Sequence, residues 1–173
     1  MMSRMPVWGR RSLVGLLGIV GSYVLVEVVR SLLLVISVRT RWRPGLEFTH
    51  WYNKKIGNPI ALSFQRKQVT VVHHTGRKSG KEYVTPVWAE RVENLFLIHL
   101  PYGTDVDWCR NVLKAEGCTI EHQGVSFDTT APTIVPAAEA LPILPERMRT
   151  MDQLMIVESY LRLDINPVAA KTS

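Results

Sequence analysis

Residues Leu13 to Val38 read LVGLLGIVGSYVLVEVVRSLLLVISV, apolar throughout except for Glu27 and Arg30. This run constrains the chain more than any other, because an apolar helix of that length has to be covered by lipid or protein. The 14 residues ahead of Glu27 make a helix of only about 21 Å, short of the roughly 30 Å hydrocarbon core. A spanning helix must therefore carry both charges. Glu27 and Arg30 are three apart, so they share a helix face and can neutralise each other, and Arg30 can also snorkel outward. Trp8 and Trp42, with arginines beside them, bracket the run as headgroup side chains would. The alternatives are a helix lying in the interface or an uncleaved signal-like segment, since no small-residue cleavage site follows. Arginines on the two sides nearly tie, so orientation is not fixed by charge. Gly15, Gly18 and Ser22 form a small-residue face able to pack a second helix.

The net charge of +6 belongs to this anchor. Seven arginines precede Pro44 against Glu27 alone, and the remainder holds 14 basic and 14 acidic residues. A neutral folded part argues against nucleic acid, while arginines flanking an apolar helix suit lipid headgroups. The division expected is an anchor over 1–43 and one domain over 44–173, a usual length for a single core. Cys109 and Cys118 have no C-x-x-C spacing and are expected to be reduced thiols.

After a turn at Pro44-Gly45, Leu46 to Ile56 reads as a short amphipathic helix ended by Gly57-Asn58-Pro59. Strands are predicted over Lys67 to His74, Tyr83 to Glu90 and Leu95 to Leu100, the first two joined through Gly76-Arg77-Lys78-Ser79-Gly80 as a hairpin. Asp105 is the candidate N-cap of a helix through Ala115, with Gly117 ending it. Strands over Cys118 to His122 and Val125 to Thr130 follow. Pro132 to Pro145 reads as an irregular cover, and Glu146 to Leu161 as helical in its first part. Short strands, hairpins and one inserted helix predict an α+β fold built on a small barrel.

The loop Thr75 to Gly80 is the sharpest chemical feature. Its glycines permit backbone turns that point N–H groups at an anion, and Arg77, Lys78 and Ser79 add charge and donors. The spacing is neither a Walker A loop nor a dinucleotide fingerprint, and an exposed turn with solvated charges is the plain alternative. His73 and His74 point to opposite strand faces, so they cannot hold one metal together. Ser63 and Ser79 lack an elbow motif, and Cys109 has no evident base. His99 and Tyr102 flank the end of the third strand, either near a ligand or as a core histidine and a loop tyrosine.

The order Thr75-Gly76-Arg77-Lys78-Ser79-Gly80, Thr85-Pro86-Val87, Tyr102-Gly103, Trp108-Cys109-Arg110-Asn111 resembles the deazaflavin-dependent nitroreductase family of actinobacteria, over about Gly57 to Val135. The resemblance implies a split β-barrel that binds coenzyme F-420, whose phosphate and glutamate tail are anionic. By position, Arg77, Lys78, Ser79 and Gly80 would hold the phosphate. Thr85, Pro86 and Val87 would line the deazaflavin ring, while Leu100, Pro101, Tyr102, Gly103, Trp108 and Asn111 would close the pocket. The chain departs from the family pattern in a helix one residue longer after Asn111 and in having Tyr160 as its sole late tyrosine.

The resemblance implies an oxidoreductase that positions a hydride-carrying coenzyme without a nucleophile of its own. A lipophilic acceptor such as a quinone or nitro compound is expected, reached from the membrane, with the barrel on the cytoplasmic side. Membrane lipids are the other expected partners. A non-catalytic lipid carrier with an apolar mouth near Trp51 and Trp88, or a barrel using flavin mononucleotide, are the alternative readings.

Overall fold

The computed structural model describes residues 7–40, 42–64, 69–155 and 157–172. Helix α1, Val7–Thr40, contains the apolar run and is 34 residues long, about 51 Å at 1.5 Å per residue. The side chains of residues 7–20, with Trp8, Gly15 and Gly18 among them, lie outside the described residues. Among the described residues no helix is long and apolar enough to cross a membrane, so the expected span is not found there. The Glu27–Arg30 pair does form, at 2.7 Å.

The predicted turn at Pro44-Gly45 falls two residues earlier. Trp42 breaks the helix, and α2, Arg43–Tyr52, carries proline in its first turn, where the missing N–H is one the helix leaves unpaired anyway. A π-turn over Asn53–Gly57 then leads into α3, Asn58–Phe64. Gly57-Asn58-Pro59 therefore does not end the helix. Its widened turn comes just before Pro59, where a regular turn would push the proline ring against the carbonyl four residues back.

Seven strands follow: β1 Thr70–Thr75, β2 Glu82–Val87, β3 Ala89–Val92, β4 Leu95–His99, β5 Gly117–His122, β6 Val125–Pro136 and β7 Ser159–Thr172. Lys67 and Gln68, assigned above to the first strand, lie outside the described residues. The strands form one antiparallel sheet in the order β2-β1-β5-β6-β7-β4-β3. β2 and β3 stand at opposite edges of that order, yet Trp88 alone separates them in the chain. The sheet must curl until its edges meet at Trp88, and there the His99 N–H donates to the Trp88 carbonyl at 2.9 Å. This is a curled α+β half-barrel, consistent with the expected split barrel.

Three expectations about these segments need correction. Tyr83 to Glu90 is two strands pairing with different partners, β1 and β4. The segment after Thr130 is no loose cover, because β6 continues to Pro136 beside β7. Beyond Thr130 it has lost β5 as a neighbour, so Pro132 can withhold its N–H at a register shift without costing a ladder bond. The C-terminal strand β7, absent from the sequence reading, sits in the middle of the sheet, with Leu161 and Leu163 wholly buried.

Helix α4, Asp107–Ala115, fills the barrel through Cys109 and Val112, packed with Val72, Phe96, Ile98, Ile120 and Leu161. It starts at Asp107 without a side-chain cap, so Asp105 is not the N-cap. Glu116, at φ 58°, takes the left-handed position that was expected of Gly117. Gly117 opens β5, and a Cβ there would run into the Thr129 carbonyl. Outside the barrel, Leu97 and Tyr160 pack beneath Leu34 of α1, Ala140 of α5 (Ala137–Ala140) and Leu144. Helix α6, Glu146–Met155, supplies Asp152 to the same layer. Burial holds the Cys109 and Cys118 thiols up to about 11, so both stay protonated at neutral pH.

Candidate functional site

Two adjoining cavities open where α1, the α2–α3 arm and α4 meet the barrel. The larger, about 490 Å³, runs along the β1–β2 hairpin past Arg77, Lys78, Ser79, Thr85 and Asn111, with Lys54 opposite. The smaller, about 260 Å³, lies under α1 against Val87, Trp88, Leu100, Pro101 and Gly103. Asn53, Asn58, Pro86, Tyr102 and Trp108 line both. Of the thirteen residues singled out above, all but Gly80 border one cavity or the other. Gly80 instead holds φ at +65°, a conformation glycine adopts freely, to close the hairpin.

A hydrogen-bond chain orders the hairpin end of the larger cavity. The Asn111 Oδ1 accepts from the Arg77 backbone N–H at 3.2 Å and from Arg77 Nη1 at 2.8 Å. Its Nδ2 is left to donate to His74 Nδ1 at 3.1 Å. That assignment puts the histidine proton on Nε2, which donates to Thr85 Oγ1 at 3.1 Å. Burial lowers the His74 pKa, with the neighbouring His73 adding to the effect, so the neutral ring this chain requires is the one favoured. His73 points the other way, 3.4 Å from Glu121, as strand alternation predicts.

Arg77 is largely committed before any ligand arrives. Its Nη2 binds Asp107 Oδ1 at 2.9 Å, and Nη1 also donates to the Asp107 carbonyl. The Arg77 hydrogen bond and charge hold the Asp107 carboxyl below its usual range. The backbone is committed too. Gly76 N–H donates to the Lys81 carbonyl, Gly80 N–H to the Gly76 carbonyl and Lys81 N–H to Ser79 Oγ. The anion cradle expected of this loop is thus narrower than its glycines suggested, and the exposed Lys78 is its freest cation. His74 and Asp107 were missed in the sequence. The inward strand position of His74 was legible, but its bond to Asn111 depends on a helix residue 37 positions away.

The smaller cavity has a polar wall from α1. Arg30 Nε donates to Glu27 Oε2 at 2.7 Å and Nη1 to Asn53 Oδ1 at 3.2 Å, while the Tyr52 hydroxyl donates to Glu27 Oε1 at 3.4 Å. Asn53 Nδ2 in turn donates to the Tyr102 hydroxyl at 2.6 Å. Burial raises the Tyr102 pKa to about 12, with Arg30 acting in the opposite direction. Its phenol therefore keeps a proton to donate. Among the described residues no group of three metal-ligating side chains converges. Trp51, named above for an apolar mouth, is exposed but borders neither cavity, whereas Trp88 lines the smaller one.

The curled barrel and the twin cavities are the framework of a coenzyme-dependent oxidoreductase. Residues 46–157 match the family described as F420H(2)-dependent quinone reductase, and the chain belongs to that family. Its coenzyme is F-420. No curated protein matches the chain. Among solved structures, an F420 reductase is 12% identical with a TM-score of 0.44, covering 65% of this chain and 96% of its own. HutZ, the heme storage protein from Vibrio cholerae, is 13% identical with a TM-score of 0.43, covering 65% of this chain and 90% of its own.

The residues present fit the coenzyme. Lys54, Arg77 and Lys78 line the larger cavity, and its one acidic residue, Asp107, is already neutralised by Arg77. An anionic tail placed there would meet net positive charge, and the flat side chains of Pro86, Tyr102 and Trp108 at the cavity junction suit a planar ring.

Proposed function

We propose that this chain reduces a lipophilic quinone at a membrane surface with coenzyme F-420. The observation that carries the reading is the junction of two cavities, one basic and one mostly apolar, across the shared Pro86, Tyr102 and Trp108. Lys78, Lys54 and Ser79 would hold the coenzyme's anionic tail, and Arg77 would keep the loop in place through Asn111 and Asp107. Pro86, Tyr102 and Trp108 would seat the ring. When bound, the reduced coenzyme would supply a hydride and, as its ring is re-oxidised, a proton, which together convert a quinone to the hydroquinone. Trp108, Val87 and Leu100 would keep water from that junction, and Tyr102 would donate a hydrogen bond to the acceptor.

The described part of α1 has inverted polarity, which supports contact with lipid. Val24, Leu25, Val28, Val29, Leu32 and Ile36 are exposed, while Glu27, Arg30, Leu34 and Ser37 face the protein. An apolar face turned outward is suited to lie in the interface or against acyl chains, with the barrel on the cytoplasmic side where the coenzyme is available.

The test is titration of full-length protein, in mild detergent, with coenzyme F-420 and separately with flavin mononucleotide, followed by fluorescence. A clear preference for F-420, lost by at least about tenfold in Lys78→Ala through one charge-assisted contact, is expected. Protein that binds neither coenzyme but retains co-purified lipid, equally in Lys78→Ala, would establish the carrier reading instead.

A further inference from the structure

An apolar helix that carries two charges needs a reason for them, since charged side chains taken out of water are costly unless paired and hydrogen-bonded. Glu27 and Arg30 do not face outward with Val28 and Leu32. They turn toward the barrel and form part of the wall of the smaller cavity, together with Leu34. The Arg30 guanidinium is held on one side by Glu27 and on another by Asn53, and it lies 5.9 Å over the Tyr52 ring. Three of its five N–H donors are engaged by these contacts, at Nε, Nη1 and Nη2. Among the described residues two donors of this side chain, only 18% exposed, have no partner, beside a cavity whose wall sets Leu34, Pro86, Val87, Trp88 and Leu100 among Asn58, His99 and Tyr102. Glu27 and Arg30 lie outside 46–157, the stretch that matches the family, whereas Tyr52 and Asn53 lie within it.

We propose that Arg30, braced by Glu27 and Asn53, is the acceptor-binding residue: its free N–H groups take a ring carbonyl oxygen of a lipophilic quinone lodged between α1 and Trp108. This rests on the quinone reading above. A guanidinium suits the position because the carbonyl oxygen gains negative charge as the ring is reduced, and a cation in a partly buried wall stabilises that charge more strongly than water does. Glu27 keeps the cation fixed and offsets its cost when the cavity is empty. Asn53 links the pair to Tyr102, so the helix and the barrel mouth present donors to one substrate from two sides.

The experiment compares full-length wild type, Arg30→Gln, Arg30→Lys and the double variant Glu27→Gln/Arg30→Gln, which leaves no carboxylate without its cation. Binding of menadione, and of methylnaphthalene as the same ring system without oxygens, is followed by tryptophan quenching with oxidised F-420 bound, beside steady-state menadione reduction. Arg30→Gln and the double variant are expected to weaken menadione binding and raise its KM about tenfold or more, with methylnaphthalene and coenzyme affinities within about twofold of wild type. Arg30→Lys should recover part of the loss. Unchanged menadione binding in both glutamine variants overturns the proposal, and so does an equal loss of methylnaphthalene, which would mean collapse of the cavity. A wild-type protein that binds F-420 but reduces no quinone defeats the quinone reading itself, a result separate from either.

Discussion

His99 Nδ1 and Asp152 Oδ1 lie 2.7 Å apart with side chains 0% and 2% exposed, so strand β4 and helix α6 are joined by a polar contact inside an apolar layer. The other oxygen of Asp152 accepts from the Tyr160 hydroxyl, also at 2.7 Å. One carboxylate thus satisfies two buried donors from neighbouring strands. Asp152→Ala strands both, at about 1–3 kcal/mol for each unsatisfied group. A loss of about 3 kcal/mol or more in urea unfolding is expected. Tyr160→Phe, which removes one donor along with its need, should cost less, and a larger loss for Tyr160→Phe than for Asp152→Ala would contradict this account.

The pH dependence of stability follows from His74. Burial lowers its folded pKa, and burial lowers that of His122 as well. Above the ordinary value of about 6.5 both states hold the neutral ring, and the histidine adds no slope. Below it the unfolded chain takes up the proton first, so stability must fall as the pH is lowered from about 6.5 toward the folded value. Protonated His74 would also face the Asn111 amide with a second donor and lose that bond. Unfolding free energy measured from pH 7.5 to 5 should fall in wild type and fall less steeply in His74→Gln. An unchanged slope in the variant counts against the buried-histidine account.

Asn111 separates the two roles of the hairpin. Asn111→Asp keeps an acceptor for Arg77 but can no longer donate to His74, whereas Asn111→Leu removes both. If the loop must be held in place for the coenzyme, F-420 affinity should fall about tenfold in Asn111→Leu, the equivalent of one hydrogen bond to a charged group, and by less in Asn111→Asp. Equal affinities in all three proteins would mean that the loop orders itself without Asn111.

What could be read from the chain was whatever short-range chemistry decides. The hairpin at Gly76 to Gly80, helix α4 and strands β4 and β5 depend on turn residues and periodicity, and they appear within a few residues of expectation. Strand β7 should also have been legible, because Leu161, Leu163 and Ile165 alternate with Arg162 and Asp164. Other features depend on distant partners. The division at Trp88 exists because one neighbour of that segment is β1 and the other β4. The continuation of β6 through Pro132 depends on the loss of β5 alongside it. Glu27 and Arg30 were paired correctly from their spacing, but the cavity they border is built by residues as far along as Trp108, which no local pattern in α1 could reveal.

Gly117 tests the close approach of β5 and β6. A methyl group there meets the Thr129 carbonyl, which is backbone and cannot rotate away. Gly117→Ala should therefore destabilise by about 1–3 kcal/mol, the usual cost of overpacking, although alanine at an unstrained strand position would otherwise gain stability. A denaturant midpoint equal to or above wild type would show that the strands separate easily at this point.

The outward face of α1 decides how the protein meets a membrane. Val28 and Leu32 are each at least half exposed and lie one turn apart on the face opposite Glu27 and Arg30. If that face rests in lipid, its attachment comes from apolar burial, about 1.5–3 kcal/mol for each such side chain, and survives screening by salt. Full-length protein should therefore float with anionic vesicles after a high-salt wash. Val28→Asp/Leu32→Asp replaces that burial with two charges that must stay hydrated, and neither residue lines a cavity, so the double variant should remain in solution with F-420 binding unchanged. Release of wild type by salt alone would assign the attachment to the arginines at the ends of the helix, and vesicle binding by the double variant equal to wild type would place the contact elsewhere on the protein.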